Sequence, residues 1–127
     1  MENVKWKMEN PVADKSFQFA IRVVRLYKYL CSEKQEYTLS KQLLRSGTSI
    51  GANVRESKNA QSDLDFISKL SIALKEADET AYWLELLVES ELIEKPVFDE
   101  LYDEVNQLIF MLTAIIKTKK ANSNKNV

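Results

Sequence analysis

The fold of this chain is determined by residues 38–92, which read TLSKQLLRSGTSIGANVRESKNAQSDLDFISKLSIALKEADETAYWLELLVESEL. On a helical wheel, the segment divides into two amphipathic helices joined at residues 59–62. It also contains the only two glycines of the 127-residue sequence, Gly47 and Gly51. A glycine inside a helix costs about 0.5–1 kcal/mol relative to alanine. We therefore expect a neighbouring helix to pass close to both.

A polar ladder runs along the first helix of this segment, beside an apolar stripe. On this helix the ladder comprises Arg45, Ser49, Asn53 and Glu56. We expect Arg45 or Asn53 to hydrogen-bond to a carboxylate on the next helix, Glu76 or Glu79, and we include these two in the ladder. One interpretation is a half-buried hydrogen-bonded network that sets the helix register, in which removing one partner would cost about 3–5 kcal/mol. The other is a binding site in which Arg45 contacts an anion.

The second helix of the segment carries two apolar stripes over about residues 62–90. One repeats every three or four residues, as the core seam of a bundle does, and comprises Ile67, Leu70, Leu74, Ala77, Ala81, Leu84 and Val88. The other lies on the opposite side and comprises Ile72, Trp83 and Leu86. Because packing within one domain requires only one stripe, we predict that the second is buried against another subunit, with Trp83 as its anchor.

The first helix of the chain, predicted over residues 13–31, also has two apolar stripes. We assign to the bundle core the stripe that comprises Phe17, Ala20, Ile21, Val24 and Cys31. We assign to the subunit interface the stripe that comprises Phe19, Val23, Leu26 and Leu30.

The fourth helix begins near Pro96, since a proline is well tolerated in the first turn of a helix. A seam with steps of three and four follows, from Phe98 to Ile115. Four helices with short connections predict an all-α fold, an antiparallel up-down-up-down four-helix bundle. We expect a polar lead-in over residues 1–11, the bundle over residues 12–119, and a basic, disordered tail over residues 120–127.

Composition excludes most catalytic and membrane functions. The sequence has no histidine, which removes histidine-dependent triads and metal sites, and it has no glycine-rich phosphate loop. We expect no enzyme, no cofactor and no small-molecule substrate. Cys31 is the single cysteine, which is typical of a reducing cytoplasm. No apolar run approaches the roughly 18–20 residues of a membrane span, so we expect a soluble, cytoplasmic protein.

The charge is divided between the two halves of the chain. Residues 1–60 carry 11 basic and 6 acidic side chains, whereas residues 61–116 carry 3 basic and 13 acidic ones. One explanation is a dipolar monomer; another is that the basic half of one subunit faces the acidic half of the next. If the protein binds RNA, the candidate contacts are Arg22, Arg25, Lys28, Lys41, Arg45, Arg55, Lys58, Lys117, Lys119 and Lys120.

A distinctive set of residues spans the second and third helices: Arg45, the pairs at 49–50 and 53–54, Glu56, Phe66, the run LSIALKEADET and the Tyr-Trp-Leu at 82–84. In these residues the sequence resembles the bacterial four-helix bundle family that is also called the 23S rRNA intervening-sequence protein family. One departure is Ser57, where many members have glycine. The resemblance implies a homopentamer. A related accessory protein of diversity-generating retroelements works with RNA, but it is strongly basic and this chain is not.

Two functional hypotheses follow from the sequence. The first is a non-enzymatic, homo-oligomeric bundle that acts as an interaction or scaffold protein. The alternative is an RNA-binding accessory protein that uses the basic first hairpin and the tail. An enzyme built on the carboxylates of Glu56, Glu76 and Glu79 is a minor third hypothesis.

Overall fold

The computed structural model describes residues 10–125 and the side chains of residues 10–123. Over this part of the chain it contains four helices and no strand: α1 (Pro11–Lys34), α2 (Leu39–Ser57), α3 (Asp63–Glu89) and α4 (Lys95–Lys125). Each helix packs on the next in sequence, and a thinner contact between α1 and α4 closes the bundle. This confirms the predicted all-α four-helix bundle. We predicted a polar lead-in over residues 1–11, and residues 1–9 of it lie outside the described part of the chain.

The helix starts follow the capping rules. The Asn10 side chain accepts a hydrogen bond from the backbone nitrogen of Ala13, and Pro11 occupies the first turn of α1. Ser62 caps α3 in the same way, with 3.0 Å between its Oγ and the nitrogen of Asp65. These side chains satisfy backbone donors that have no partner within the helix.

The cap of α2 was missed by the sequence analysis. Thr38 occupies the N-cap position without a side-chain cap, and the carboxylate of Glu36 takes over that role. Its oxygens accept bonds from the backbone nitrogens of Thr38 at 3.1 Å, Leu39 at 2.8 Å and Ser40 at 2.8 Å. Burial would raise the pKa of Glu36, but the backbone bonds outweigh it and hold the pKa below its ordinary value.

Of the two apolar stripes of α1, the one predicted for the subunit interface is buried in the core, and the one predicted for the core is the more exposed. The stripe that we assigned to the subunit interface lies inside the chain's own core: Phe19, Val23 and Leu30 are fully buried, and Leu26 is 7% exposed. Phe17, assigned to the core, is 39% exposed. The interface prediction for Phe19, Val23, Leu26 and Leu30 is therefore wrong.

The glycines of α2 explain this reversal. A Cβ added to Gly47 would lie 2.8 Å from both methyl carbons of Val23, and one added to Gly51 would lie 3.4 Å from the carbonyl oxygen of Ser16. Since only glycine leaves room for Val23 at this depth, α1 turns the Val23 stripe toward α2. The expected close approach of a neighbouring helix is confirmed at both positions.

The predicted disordered tail is instead helical as far as Lys125. The end of α4 is tied to the start of α3, where Ser123 donates a 2.8 Å hydrogen bond to Asp63 and Lys119 forms a 3.3 Å ion pair with it. The Ser123 hydrogen bond and then Lys119 hold the pKa of Asp63 below its ordinary value. The ammonium of Lys119 also lies 5.1 Å from the ring centroid of Phe66. These contacts continue a helix that its lysine- and asparagine-rich sequence does not predict.

None of the helices within the described residues is long and apolar enough to cross a membrane.

Candidate interaction site

The polar ladder links α2 to α3 through Arg45. The guanidinium donates a 3.1 Å hydrogen bond from Nη1 to Glu76 and another from Nη2 to Glu79. Its Nε donates a weaker bond to the side chain of Gln42, at 3.4 Å. These are the two carboxylates that the sequence paired with Arg45. Because both terminal nitrogens already hold a carboxylate, the arrangement does not favour the alternative in which Arg45 captures an anion.

The other ladder residues of α2 do not contact Glu76 or Glu79. Ser49 and Asn53 bond to the backbone of their own helix, and Glu56 reaches α3 near the end of α2. The Ser49 hydroxyl donates to the carbonyl oxygen of Arg45 at 2.6 Å, and the Asn53 amide donates to that of Ser49 at 2.9 Å. We expected either Arg45 or Asn53 to bond to a carboxylate of α3. Arg45 does so, and Asn53 bonds to the backbone of its own helix. Glu56 forms a 3.4 Å ion pair with Lys69 of α3. The two ion-pair groups thus join α2 to α3 at separate heights along the helices.

The ladder is more exposed than the half-buried network that we expected. The side chain of Arg45 is 48% exposed, that of Glu79 is 35% exposed and that of Glu76 is 19% exposed. Exposed ion pairs contribute about 0–1 kcal/mol because water and salt screen them. The expected loss of about 3–5 kcal/mol applies to buried pairs and is too large for this one.

Trp83 lies next to the ladder and is held by it. Its indole nitrogen donates a 2.9 Å hydrogen bond to Oε2 of Glu79, the oxygen that also accepts from Arg45. The Tyr82 ring meets the indole edge to face, with 5.0 Å between the centroids. The indole is partly buried and packs against the core from outside. These contacts fix the orientation of a large aromatic side chain at the surface.

Ile72 and Leu86 lie on the same side of α3 as Trp83. Lys69 and Glu76 mark the side that faces α2, through their pairs with Glu56 and Arg45, and Ile72 lies next to that side on the helical wheel, about 40° from Glu76. Ile72 is 42% exposed and Leu86 is partly exposed. We call Ile72, Trp83 and Leu86 the α3 flank. Its burial against another subunit stays a prediction.

The candidate RNA contacts do not form one patch. Arg22 is bound at 2.7 Å to Glu104 of α4, Arg45 to Glu76 and Glu79, and Lys119 to Asp63. Arg55 lies over the ring of Phe17, 6.0 Å from its centroid, and Lys58 is partly buried. The exposed candidates are distributed over three helices and comprise Arg25, Lys28, Lys41, Lys117 and Lys120. Three of the ten cations are thus already neutralised by neighbouring carboxylates.

An open groove of about 500 Å³ lies between α1 and α4, and no pattern in the sequence had indicated it. Leu26, Ile93 and Leu101 contribute to its lining, with Arg22 and Arg25 on one helix and Glu94 and Glu100 at the other side. The Arg22–Glu104 pair bridges the two helices nearby. Burial raises the pKa of Glu104, with Arg22 acting in the opposite direction. No group of three His, Cys, Asp or Glu side chains among the described residues is arranged to hold a metal ion.

The fold and the ladder define a helical-bundle protein whose distinctive surface lies between α2 and α3. The family model of the 23S rRNA-intervening sequence protein matches residues 8–114. The chain belongs to that family, as the resemblance in its sequence indicated.

One solved structure shares this fold closely. It is the crystal structure of a protein of unknown function from the S23 ribosomal protein family of Bacteroides thetaiotaomicron, 54% identical in sequence. The similarity covers 84% of this chain and 98% of that one, with a TM-score of 0.83. No curated protein matches the chain.

Proposed function

We propose that this chain is the subunit of a cytoplasmic homo-oligomer that acts as an interaction or scaffold protein and has no catalytic activity of its own. The observation that carries the proposal is the α3 flank, where a fixed indole and an isoleucine that is 42% exposed lie three turns apart on the same side of the helix. The family resemblance implies five subunits, and we propose a pentamer on that basis.

The geometry of Trp83 supports an interface rather than a solvated surface. Interface anchors are enriched in tryptophan, and their contribution rises when the side chain is already ordered before binding. The hydrogen bond to Glu79 and the edge contact with Tyr82 order the indole within the single chain. A partner would therefore bury this ring at little additional cost in side-chain entropy.

Composition supports a non-catalytic role. Without histidine, the chain has no side chain whose ordinary pKa lies near neutrality. The carboxylates of Glu76 and Glu79 are bound to Arg45, and Glu79 also accepts from Trp83. Carboxylates held in this way position helices and an indole, which is a structural role.

The test compares the solution mass of two variants by analytical ultracentrifugation. Trp83→Glu puts a charge on the α3 flank and should convert the oligomer to a monomer while circular dichroism shows unchanged helix content. Ser71→Glu is the matched control, because Ser71 is exposed on the same helix and lies outside the flank. It should keep the mass of the unmodified protein.

Two results would contradict the proposal. One is a Trp83→Glu variant that is folded and has the same oligomeric mass as the unmodified protein. The other is an unmodified protein that sediments as a single chain.

A further inference from the structure

α1 carries apolar surface that the bundle core does not use. Phe17 is 39% exposed, and Ile21 and Val24 are partly exposed and lie outside the core cluster. Phe17 and Val24 lie two turns apart on one side of the helix, and the position of Phe17 beside Arg55 places that side next to α2. We call Phe17, Ile21 and Val24 the α1 face.

The surroundings of the α1 face are basic, whereas those of the α3 flank are acidic. α1 carries five basic and two acidic side chains, and α2 carries three basic and one acidic. α3 carries two basic and seven acidic side chains. Lys28 is exposed one turn after Val24 on the same side of α1, and Glu76 and Glu79, two carboxylates that share the single cation of Arg45, border the α3 flank.

This charge distribution separates two ways of pairing identical copies. A two-fold contact centred on one of these surfaces places that surface against itself, which would oppose two acidic α3 helices or two basic α1 helices. Like charges at an interface weaken association, and complementary ones favour it. A contact between the two different surfaces combines apolar burial with opposite charge.

We propose, on the basis of the oligomer put forward above, that the α1 face of one copy packs against the α3 flank of the next. The contact is heterologous: each copy contributes its α1 face to one neighbour and its α3 flank to the other. Both surfaces border α2, one through the Phe17–Arg55 contact and the other through the Arg45–Glu76 bond. A heterologous contact forms a closed ring when the rotation between neighbouring copies closes, and such a ring is the form of the oligomer that we propose.

The test uses two variants that each block one surface. Ile21→Glu disables the α1 face and leaves the α3 flank intact, and Ile72→Glu does the reverse. Each variant alone should sediment as a monomer of 14.7 kDa. Mixed in equal amounts they should form a dimer and nothing larger, because one functional contact remains and the outer surfaces of the pair are blocked. Val24→Glu and Trp83→Glu form a second pair for the same mixing experiment.

The outcomes separate this proposal from the proposed function. Gln18→Glu and Ser71→Glu, both at exposed positions, should keep the oligomeric mass of the unmodified protein. If Ile21→Glu alone still assembles, or if the folded variants stay monomeric when mixed, the pairing of these two surfaces is wrong while the oligomer itself stands. If the unmodified protein is a monomer, the proposed function fails first. Circular dichroism of each variant shows that a lost contact is not lost folding.

Discussion

A Cβ atom added to Gly47 of α2 would lie 2.8 Å from both Cγ1 and Cγ2 of Val23 in α1. Val23 is fully buried, and a β-branched side chain in a helix has one strongly preferred rotamer. The isopropyl group therefore has no alternative position. The contact determines which of the two apolar stripes of α1 enters the core.

We expect Gly47→Ala to lower the stability of the bundle by about 1–3 kcal/mol, the usual cost of overpacking a core. The gain in helix propensity, about 1 kcal/mol, offsets only part of the clash. Gly51→Ala is the matched control, because its added Cβ would lie 3.4 Å from the nearest atom, the Ser16 carbonyl oxygen. It should leave the protein equally stable or slightly more stable. Urea unfolding of both variants measures the difference, and a Gly47→Ala variant as stable as Gly51→Ala would contradict the packing.

Arg45→Met should lower the free energy of unfolding by about 1 kcal/mol or less, since Arg45 is half exposed and its ion pairs are screened. Raising the salt from about 0.1 M to 1 M shortens the screening length from about 10 Å to 3 Å, so the difference from the unmodified protein should shrink. Lys75→Met serves as the control at an exposed position on α3. A loss of about 3 kcal/mol or more would show that the pair behaves as a buried one.

Glu36→Gln should destabilise the protein at pH 7, because the carboxylate caps the start of α2 with three backbone hydrogen bonds. A lost cap costs about 1 kcal/mol. The pKa of Glu36 is lower in the folded protein, so its contribution is present above the unfolded pKa of about 4.3. That contribution is lost as the pH falls through the folded value. Thermal unfolding should therefore show a difference from the parent at pH 7 that shrinks in acid. A difference that does not change with pH would contradict a charged cap.

RNA binding, if present, should be weak and dependent on salt. Besides Arg45, which is bound to two carboxylates, five of the ten candidate cations are exposed, and they are distributed over three helices, so the affinity should stay within the non-specific range of about 10⁻⁴–10⁻⁶ M at physiological salt. Lys28→Ala and Lys41→Ala should each reduce the salt dependence by about one phosphate contact. Titration of labelled RNA at two salt concentrations measures this. Nanomolar binding that resists salt would show base-specific recognition by a surface that we have not identified.

The sequence predicted the bundle because the third and fourth helices carry apolar seams with steps of three and four residues, the spacing of helices that pack along their length. It did not distinguish the two stripes of α1, since Phe19 and Val23 are as apolar as Phe17 and Val24. The deciding contact is between Val23 and Gly47, two residues on different helices. A wheel drawn for one helix cannot contain that information.

The helix ends and the interaction site were predicted in part for a similar reason. Pairing Arg45 with Glu76 and Glu79 required only helix spacing and opposite charge. The cap by Glu36 and the bond from Ser123 to Asp63 depend on how the chain turns back on itself. Helix propensity alone therefore ended the fourth helix too early, at residue 119. It also gave no sign that Glu36, in the connection before α2, caps that helix.

The solution mass of the unmodified protein, determined by sedimentation equilibrium over a range of concentrations, shows directly whether the chains assemble. We expect an assembly of several chains, with five as the proposed number, each contributing 14.7 kDa. The mass should not decrease on moderate dilution, because dissociation would expose the buried α3 flank of each subunit to water. A mass of one chain at every concentration would contradict the account, since Trp83 and Ile72 would then remain in contact with water.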